Sequence, residues 1–193
     1  MSNVNVISRY VGAGTPAQGT NVMPVTLLTT NTETLINNQA GNPAVIYPQP
    51  TGQFTSTTFG NGFDGFPIKV RAAFKVSNTV ASSTAIVAIY ANQVSTTITS
   101  GNKLATVTSQ SLGGTGSTSG VLEAFIIWDS VGQTISGYQH GYFGTTLLAP
   151  AALTNTAVSI TALSALNFSI TATCGTTGKS VSFYITEFVV ETV

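Results

Sequence analysis

From about residue 66 onward, apolar and polar positions alternate with a period of two. Ile68, Val70, Ala72, Phe74 and Val76 fall on one face of the first such run, and Lys69, Arg71, Ala73 and Lys75 on the other. This pattern predicts a half-buried β-strand, apolar inward and basic outward. Residues 85–91 (AIVAIYA) are almost continuously apolar, which predicts a central strand buried on both faces. A Gly101-Asn102 turn leads into a strand over 104–108. The glycine-rich stretch 112–120 (LGGTGSTSG) reads as a flexible loop before a long strand over 121–129. On that strand Leu122, Ala124, Ile126 and Trp128 share one face. Val121, Phe125 and Ile127 share the other with Glu123 and Asp129.

Further strands are predicted over 134–143, 157–163, 166–173 and 180–191. The second and third of these are expected to pair. The link 174–178 (CGTTG) is expected to make a tight hairpin into the last strand, where Tyr184, Thr186, Phe188 and Val190 would share a face. No segment shows a helical period. Thr, Val, Ile, Ser and Gly dominate where helix formers would have to stand. About eight evenly spaced strands predict a two-sheet antiparallel jelly-roll sandwich for residues 61–193. Residues 1–60 differ. Pro24, Pro43, Pro48 and Pro50 and several glycines interrupt short apolar runs. This stretch reads as an extended N-terminal arm with short strands, ordered by lying on a partner or on its own domain.

Composition changes the picture in one respect. Only 6% of the 193 residues are charged, six basic and six acidic, against about 25% in an ordinary soluble domain. A free monomer usually relies on a charged surface for solubility, and interface cores are depleted of charge. The shortage therefore points to a protein surrounded by companions, with a Ser/Thr-rich secreted domain as the plainer alternative. Six basic residues supply few phosphate contacts, so nucleic acid is not an expected partner. Cys174 is the single cysteine, which leaves no intramolecular disulfide and no cysteine-pair metal site. The N-terminus has no signal-peptide pattern. The uncharged segment 147–170 alternates and contains Pro150, so it predicts strands rather than a membrane span.

The stock of catalytic groups is small. His140 is the single histidine; within YQHGYF it reads as a surface or hydrogen-bonded strand residue. No G-x-S-x-G elbow accompanies it. Glu123 and Asp129 are about 20 Å apart along one strand, too far for a carboxylate pair. Asp64 is a turn residue, and Glu187 and Glu191 lie in the last strand. GNGFDG at 60–65 spells G-x-G-x-x-G, but a strand follows it where a helix would be needed to hold a pyrophosphate. Asn167-Phe168-Ser169 is a sequon inside a predicted strand. Lys69, Arg71 and Lys75 are candidate partner contacts. They would meet an acidic partner surface, form an ordinary solvated face, or protect an edge strand from mispairing. Trp128, Tyr138, Tyr142 and Tyr184 would be core residues or, if exposed in one groove, a platform for sugars. The chain reads as non-enzymatic, with no cofactor and no metal.

Three segments, LEAFIIWDSVGQTISGYQHGYFG (122–144), LNFSITATCGTTG (166–178) and SVSFYITEFVVE (180–191), resemble jelly-roll structural proteins of tailed phages and other double-stranded DNA viruses. The resemblance implies a virion protein, usually a homotrimer. It would decorate or cement a capsid by binding the major capsid protein or other virion proteins, or else form the receptor- or carbohydrate-binding head of a tail fibre or spike. It supplies no catalytic residues. It implies a location in the virion, assembled in the host cytoplasm, with neither membrane nor nucleic acid as a partner.

Overall fold

A computed structural model describes residues 6–11, 26–28, 32–36, 67–78, 83–91, 98–113, 116–129, 134–155, 168–176, 179 and 181–193. Eight strands make up the body. They are β4 (Pro67–Asn78), β5 (Ala85–Ala91), β6 (Lys103–Thr108), β7 (Gly116–Asp129), β8 (Thr134–Phe143), β9 (Thr146–Ala152), β10 (Phe168–Cys174) and β11 (Val181–Thr192). Three short strands precede them: β1 (Val6–Val11), β2 (Thr26–Leu28) and β3 (Thr34–Leu35). Among the described residues the helical element is one 3-10 turn, Ser100–Asn102.

The strands form two antiparallel sheets packed face to face, as the alternation predicts. The larger sheet runs β1-β11-β4-β7-β8-β9, with β2 also on β11; the smaller runs β3-β10-β5-β6. The first body strand pairs with the last (β4 with β11), and the second with the next to last (β5 with β10). The two ends of the body are therefore brought together in the sandwich, one pair in each sheet. The third strand, β6, meets the chain just beyond β9. The Thr154 N–H donates to the Leu104 carbonyl at 2.8 Å, and the Asn155 side-chain amide donates to the Ser100 and Lys103 carbonyls.

The period-two reading holds for β4. Ile68, Val70, Ala72, Phe74 and Val76 are buried, and Lys69, Arg71, Ala73 and Lys75 point outward. Between the sheets Phe74 meets Phe143 edge-on at 5.0 Å and Phe183 at 5.5 Å, the offset geometries that ring quadrupoles favour. β5 lies between β10 and β6 and is buried on both faces, as its apolar run predicts.

Several expectations need correction. The stretch 116–120 is not loop: it is the start of β7, pairing with residues 74–78 of β4. Here the β4 ladder holds small and hydroxylated residues in strand form, while pairing with β8 begins only at Gly120. Strand β9, over 146–152, opens the uncharged segment 147–170 that reads as strands, although the expected strands of that segment begin only at residue 157. Pro150 can stand there because β9 is an edge strand. The 174–178 link is not a hairpin, since β10 and β11 lie in different sheets; the chain crosses the sandwich there. In β11 a bulge between Ile185 and Glu187 changes the face. Val181, Phe183 and Ile185 point inward, and after the bulge so do Phe188 and Val190, which puts them opposite Tyr184 rather than beside it. Finally, β4 is paired on both sides, so its lysines guard no edge. The described pieces of the arm add strands to both sheets: β1 and β2 to β11, and β3 to β10. The strand expected over 157–163, the 60–65 turn with Asp64, and Asn167 lie outside the described residues.

Candidate functional site

The outer face of the larger sheet gathers what little charge the chain has. Lys69, Arg71, Lys75, Glu123, Glu187 and Glu191 are six of its twelve charged residues, and β4, β7 and β11 bring them side by side. Strand register does this. Val189 pairs with Arg71, Arg71 with Glu123, and Glu123 with His140, so one row of residues crosses four strands. The β11 bulge then turns Glu187 outward beside the same arginine.

Arg71 is the hub. Its Nε donates to Glu123 Oε1 at 3.1 Å, and its Nη1 donates to Glu187 Oε2 at 2.9 Å. The other Glu123 oxygen, Oε2, lies 3.0 Å from His140 Nε2. One carboxylate is thus held from both sides, and its side chain is only 15% exposed. Lys69 pairs with Glu191 and reaches over the Phe125 ring at 6.0 Å; Lys75 lies 5.9 Å over the Tyr184 ring. The three basic residues therefore share one face, as expected, and two of them are matched by acids from neighbouring strands. The face is mixed in sign rather than a basic patch.

An aromatic stack runs alongside. Phe125 and Tyr138 lie parallel at 4.8 Å, and His140 stacks on Phe125 at 5.6 Å and on Tyr138 at 6.1 Å. Two glycines of β8, Gly137 and the buried Gly141, make this register possible. Gly137 has φ near +145°, and a Cβ there would run into the Phe125 carbonyl oxygen; a Cβ on Gly141 would strike the Val121 carbonyl oxygen. With glycine at both places β8 lies close against β7, and Tyr138 and His140 come down beside Phe125 and Glu123. Tyr138 and Tyr142 are each 44% exposed, and Leu147 is 77% exposed on the same face. Tyr184 is half-buried. Trp128 belongs to β7, but its side chain and that of Asp129 lie outside what is described.

At the edge of this face is a cleft of about 370 Å³. Its polar wall is Arg71, Glu123 and His140, and its apolar wall includes Tyr142, Leu147 and Pro150. A register shift in the β8–β9 ladder between Gln139 and Gly141 sets Ala149 and Pro150 opposite the single residue His140. Such a bulge bends the edge strand and opens a concavity beside it. Inside the sandwich the neighbouring Gln139 fixes β8. Its Oε1 accepts from the Thr106 N–H at 2.9 Å, and its Nε2 donates to the Ala152 carbonyl at 3.0 Å.

A second polar cluster lies on the outer face of the smaller sheet. Glu33 accepts from the Tyr90 hydroxyl at 2.8 Å, from Thr171 Oγ1 at 2.6 Å and from Lys103 Nζ at 3.2 Å. Burial first, and then the Glu33 carboxylate beside it, push the Tyr90 phenol well above its ordinary range. Tyr90 is fully buried, so this cluster ties β3 to the sheet rather than offering a surface. Sequence reasoning identified neither Glu33 nor Lys103, which are 70 residues apart.

The arrangement can hold a polar ligand by donors and acceptors next to an apolar wall. Among the described residues no group of three or more His, Cys, Asp or Glu side chains is placed to hold a metal ion. No helix of the described residues is long and apolar enough to cross a membrane, which says nothing of a β-barrel. Cys174 is buried.

No protein-family model matches this chain, and no curated protein does. Among solved structures, the chain is similar to the binding domain of botulinum neurotoxin DC in complex with rat synaptotagmin II. The identity is 10% and the TM-score 0.31, over 87% of this chain and 43% of that one. The chain thus spans less than half the length of that neighbour, and a likeness this weak carries no argument about function.

Proposed function

We propose that this chain is a non-enzymatic structural protein of a viral particle that acts as a recognition head. Its sandwich serves as a rigid support, and the outer face of the larger sheet meets the target. One observation carries this reading. Tyr138 and Tyr142 are exposed on the same sheet face as the Arg71–Glu123–His140 row, beside a cleft. Tyrosine and arginine on a fixed frame are the residue types that concentrate binding energy at recognition surfaces. Sites carried on strands are also held more precisely than sites on loops. The surrounding surface is almost uncharged, which suits a protein packed among companions in a particle.

A second reading, decoration of a capsid shell as a homo-oligomer, is favoured by β9. This edge strand has no charged residue and exposes Leu147. An uncharged sheet edge can take a strand from another chain, here along the residues of β9 other than Pro150, which has no N–H to offer. Here the partner would be a second copy, the major capsid protein or another virion protein.

Antibody labelling of intact purified particles tests the proposal. Label on projections that reach the host, with attachment lost on Tyr138→Ala plus Tyr142→Ala, supports the head. Label spread over the shell lattice, with attachment unchanged, supports decoration instead. Recovery of the protein only from free cell contents, and never on particles, overturns both.

A further inference from the structure

We infer that the cleft between the β9 bulge and the outer face of β7 and β8 is a binding site for a neutral saccharide. This rests on reading the outer face of the larger sheet as a recognition surface, and it names the class of ligand that surface takes.

The argument begins with size. A cleft of about 370 Å³ lies in the range of small-ligand pockets, about 300–1,000 Å³. It is too small to seat a folded partner but large enough for a sugar ring.

Next comes the division of its walls. A pyranose ring has a face of C–H groups and an edge of hydroxyls. The cleft has a matching division: Tyr142, Leu147 and Pro150 on one side, Arg71, Glu123 and His140 on the other. The Tyr142 ring offers a flat apolar surface for the C–H face. Hydroxyls both donate and accept, and the polar wall can do both. The guanidinium carries five N–H donors, of which Nε–H and one on Nη1 are engaged by the two glutamates, so donors remain. The Glu123 carboxylate has more lone-pair sites than its two partners use.

Charge then chooses among polar ligands. Arg71 is shared by Glu123 and Glu187, so the row has no surplus positive charge. A phosphate, sulfate or sialic carboxylate would lie against the Glu123 carboxylate, which lines the cleft beside Arg71. A cation would have to displace that guanidinium. A purely apolar peptide would bury the Arg71–Glu123 pair without replacing the water it loses, and that is costly. A neutral polyhydroxylated ring meets none of these penalties.

The site is also built in advance. Glu123 is held between Arg71 and His140, and His140 is stacked on Phe125 and Tyr138. Groups already fixed lose little freedom on binding.

A glycan array carrying neutral hexose and N-acetylhexosamine oligomers beside sialylated and sulfated ones tests this, followed by calorimetric titration of the best hit. The expected result is binding of one or more neutral oligosaccharides. Tyr142→Ala and Glu123→Gln should each weaken it by about tenfold or more. Thr108→Ala, an exposed position of β6 on the smaller sheet and outside the cleft, should leave it unchanged. Melting curves establish that each variant is folded. Hits confined to sialylated or sulfated glycans, or neutral hits indifferent to Tyr142→Ala and Glu123→Gln, overturn the inference. Absence of any glycan hit, while particles still attach to host cells in a Tyr138- and Tyr142-dependent way, also overturns it but leaves the recognition head standing. Absence of both sinks the two together.

Discussion

Glu123 divides its carboxylate between two partners on opposite sides: Oε1 takes Arg71 Nε at 3.1 Å, and Oε2 faces His140 Nε2 at 3.0 Å. Glu187 claims the same guanidinium from β11. Each of these pairs is partly exposed, and such pairs are worth at most about 1 kcal/mol. Arg71, however, lies between two carboxylates. Arg71→Met should cost about 1–2 kcal/mol, because Glu123 and Glu187 both lose a partner they share. Adding Glu187→Gln should recover part of that loss. Urea denaturation of the single and double variants measures the coupling, and strictly additive losses would show that the two residues do not interact.

Glycine at 137 is demanded by close approach as well as by its positive φ. Gly137→Ala should lower stability by about 2–3 kcal/mol. Gly101→Ala, in a turn with nothing within 4 Å of the added methyl, should be nearly neutral. Thermal melts of the two variants, run side by side, check this contrast.

Gln139 is a buried amide joining β8 to β6 and to the end of β9. Replacing it with leucine keeps the volume but leaves the Thr106 N–H and the Ala152 carbonyl without that partner. The expected cost is about 1–3 kcal/mol, with faster hydrogen exchange at the Thr106 amide. Unchanged exchange there would mean that the bridge does not hold the sheets together.

Tyr90 gives a pH dependence. Its folded phenol titrates above the ordinary value of 10.0, through burial and the adjacent Glu33 carboxylate. A raised folded value favours the protonated form, so this contribution is intact below about pH 10 and is lost as the pH climbs beyond it. Denaturant melts at pH 8 and pH 11 should show the wild-type protein losing more stability than Tyr90→Phe. At pH 8 the variant should be weaker by about 1 kcal/mol, for the hydrogen bond to Glu33. Equal alkaline losses in the two proteins would remove Tyr90 from the account.

Parts of the site were legible beforehand. Lys69, Arg71 and Lys75 share an outward face because the alternation of β4 is a property of the strand itself. His140 reads as a surface or hydrogen-bonded strand residue, and it stands on β8 with its Nε2 3.0 Å from Glu123 Oε2. Its partner was not readable. Glu123 and Asp129 stand far apart on a single strand, whereas Glu123 has its partners across strands, in Arg71 and His140.

The β character, the inward and outward faces of β4 and the burial of β5 are legible in the chain alone. Each follows from side chains alternating along one extended chain, and needs no knowledge of a neighbour. Tertiary structure decided everything that depends on who lies next to whom. Arg71 and Glu187 are 116 residues apart and meet because β4 and β11 are adjacent. Glu187 faces outward because one extra residue in β11 shifts the alternation. The cleft exists because β9 bulges opposite His140. Neither a strand's neighbours nor a two-against-one register is written in its own period, since both are settled by ladder hydrogen bonds and by the packing of two sheets around a shared core.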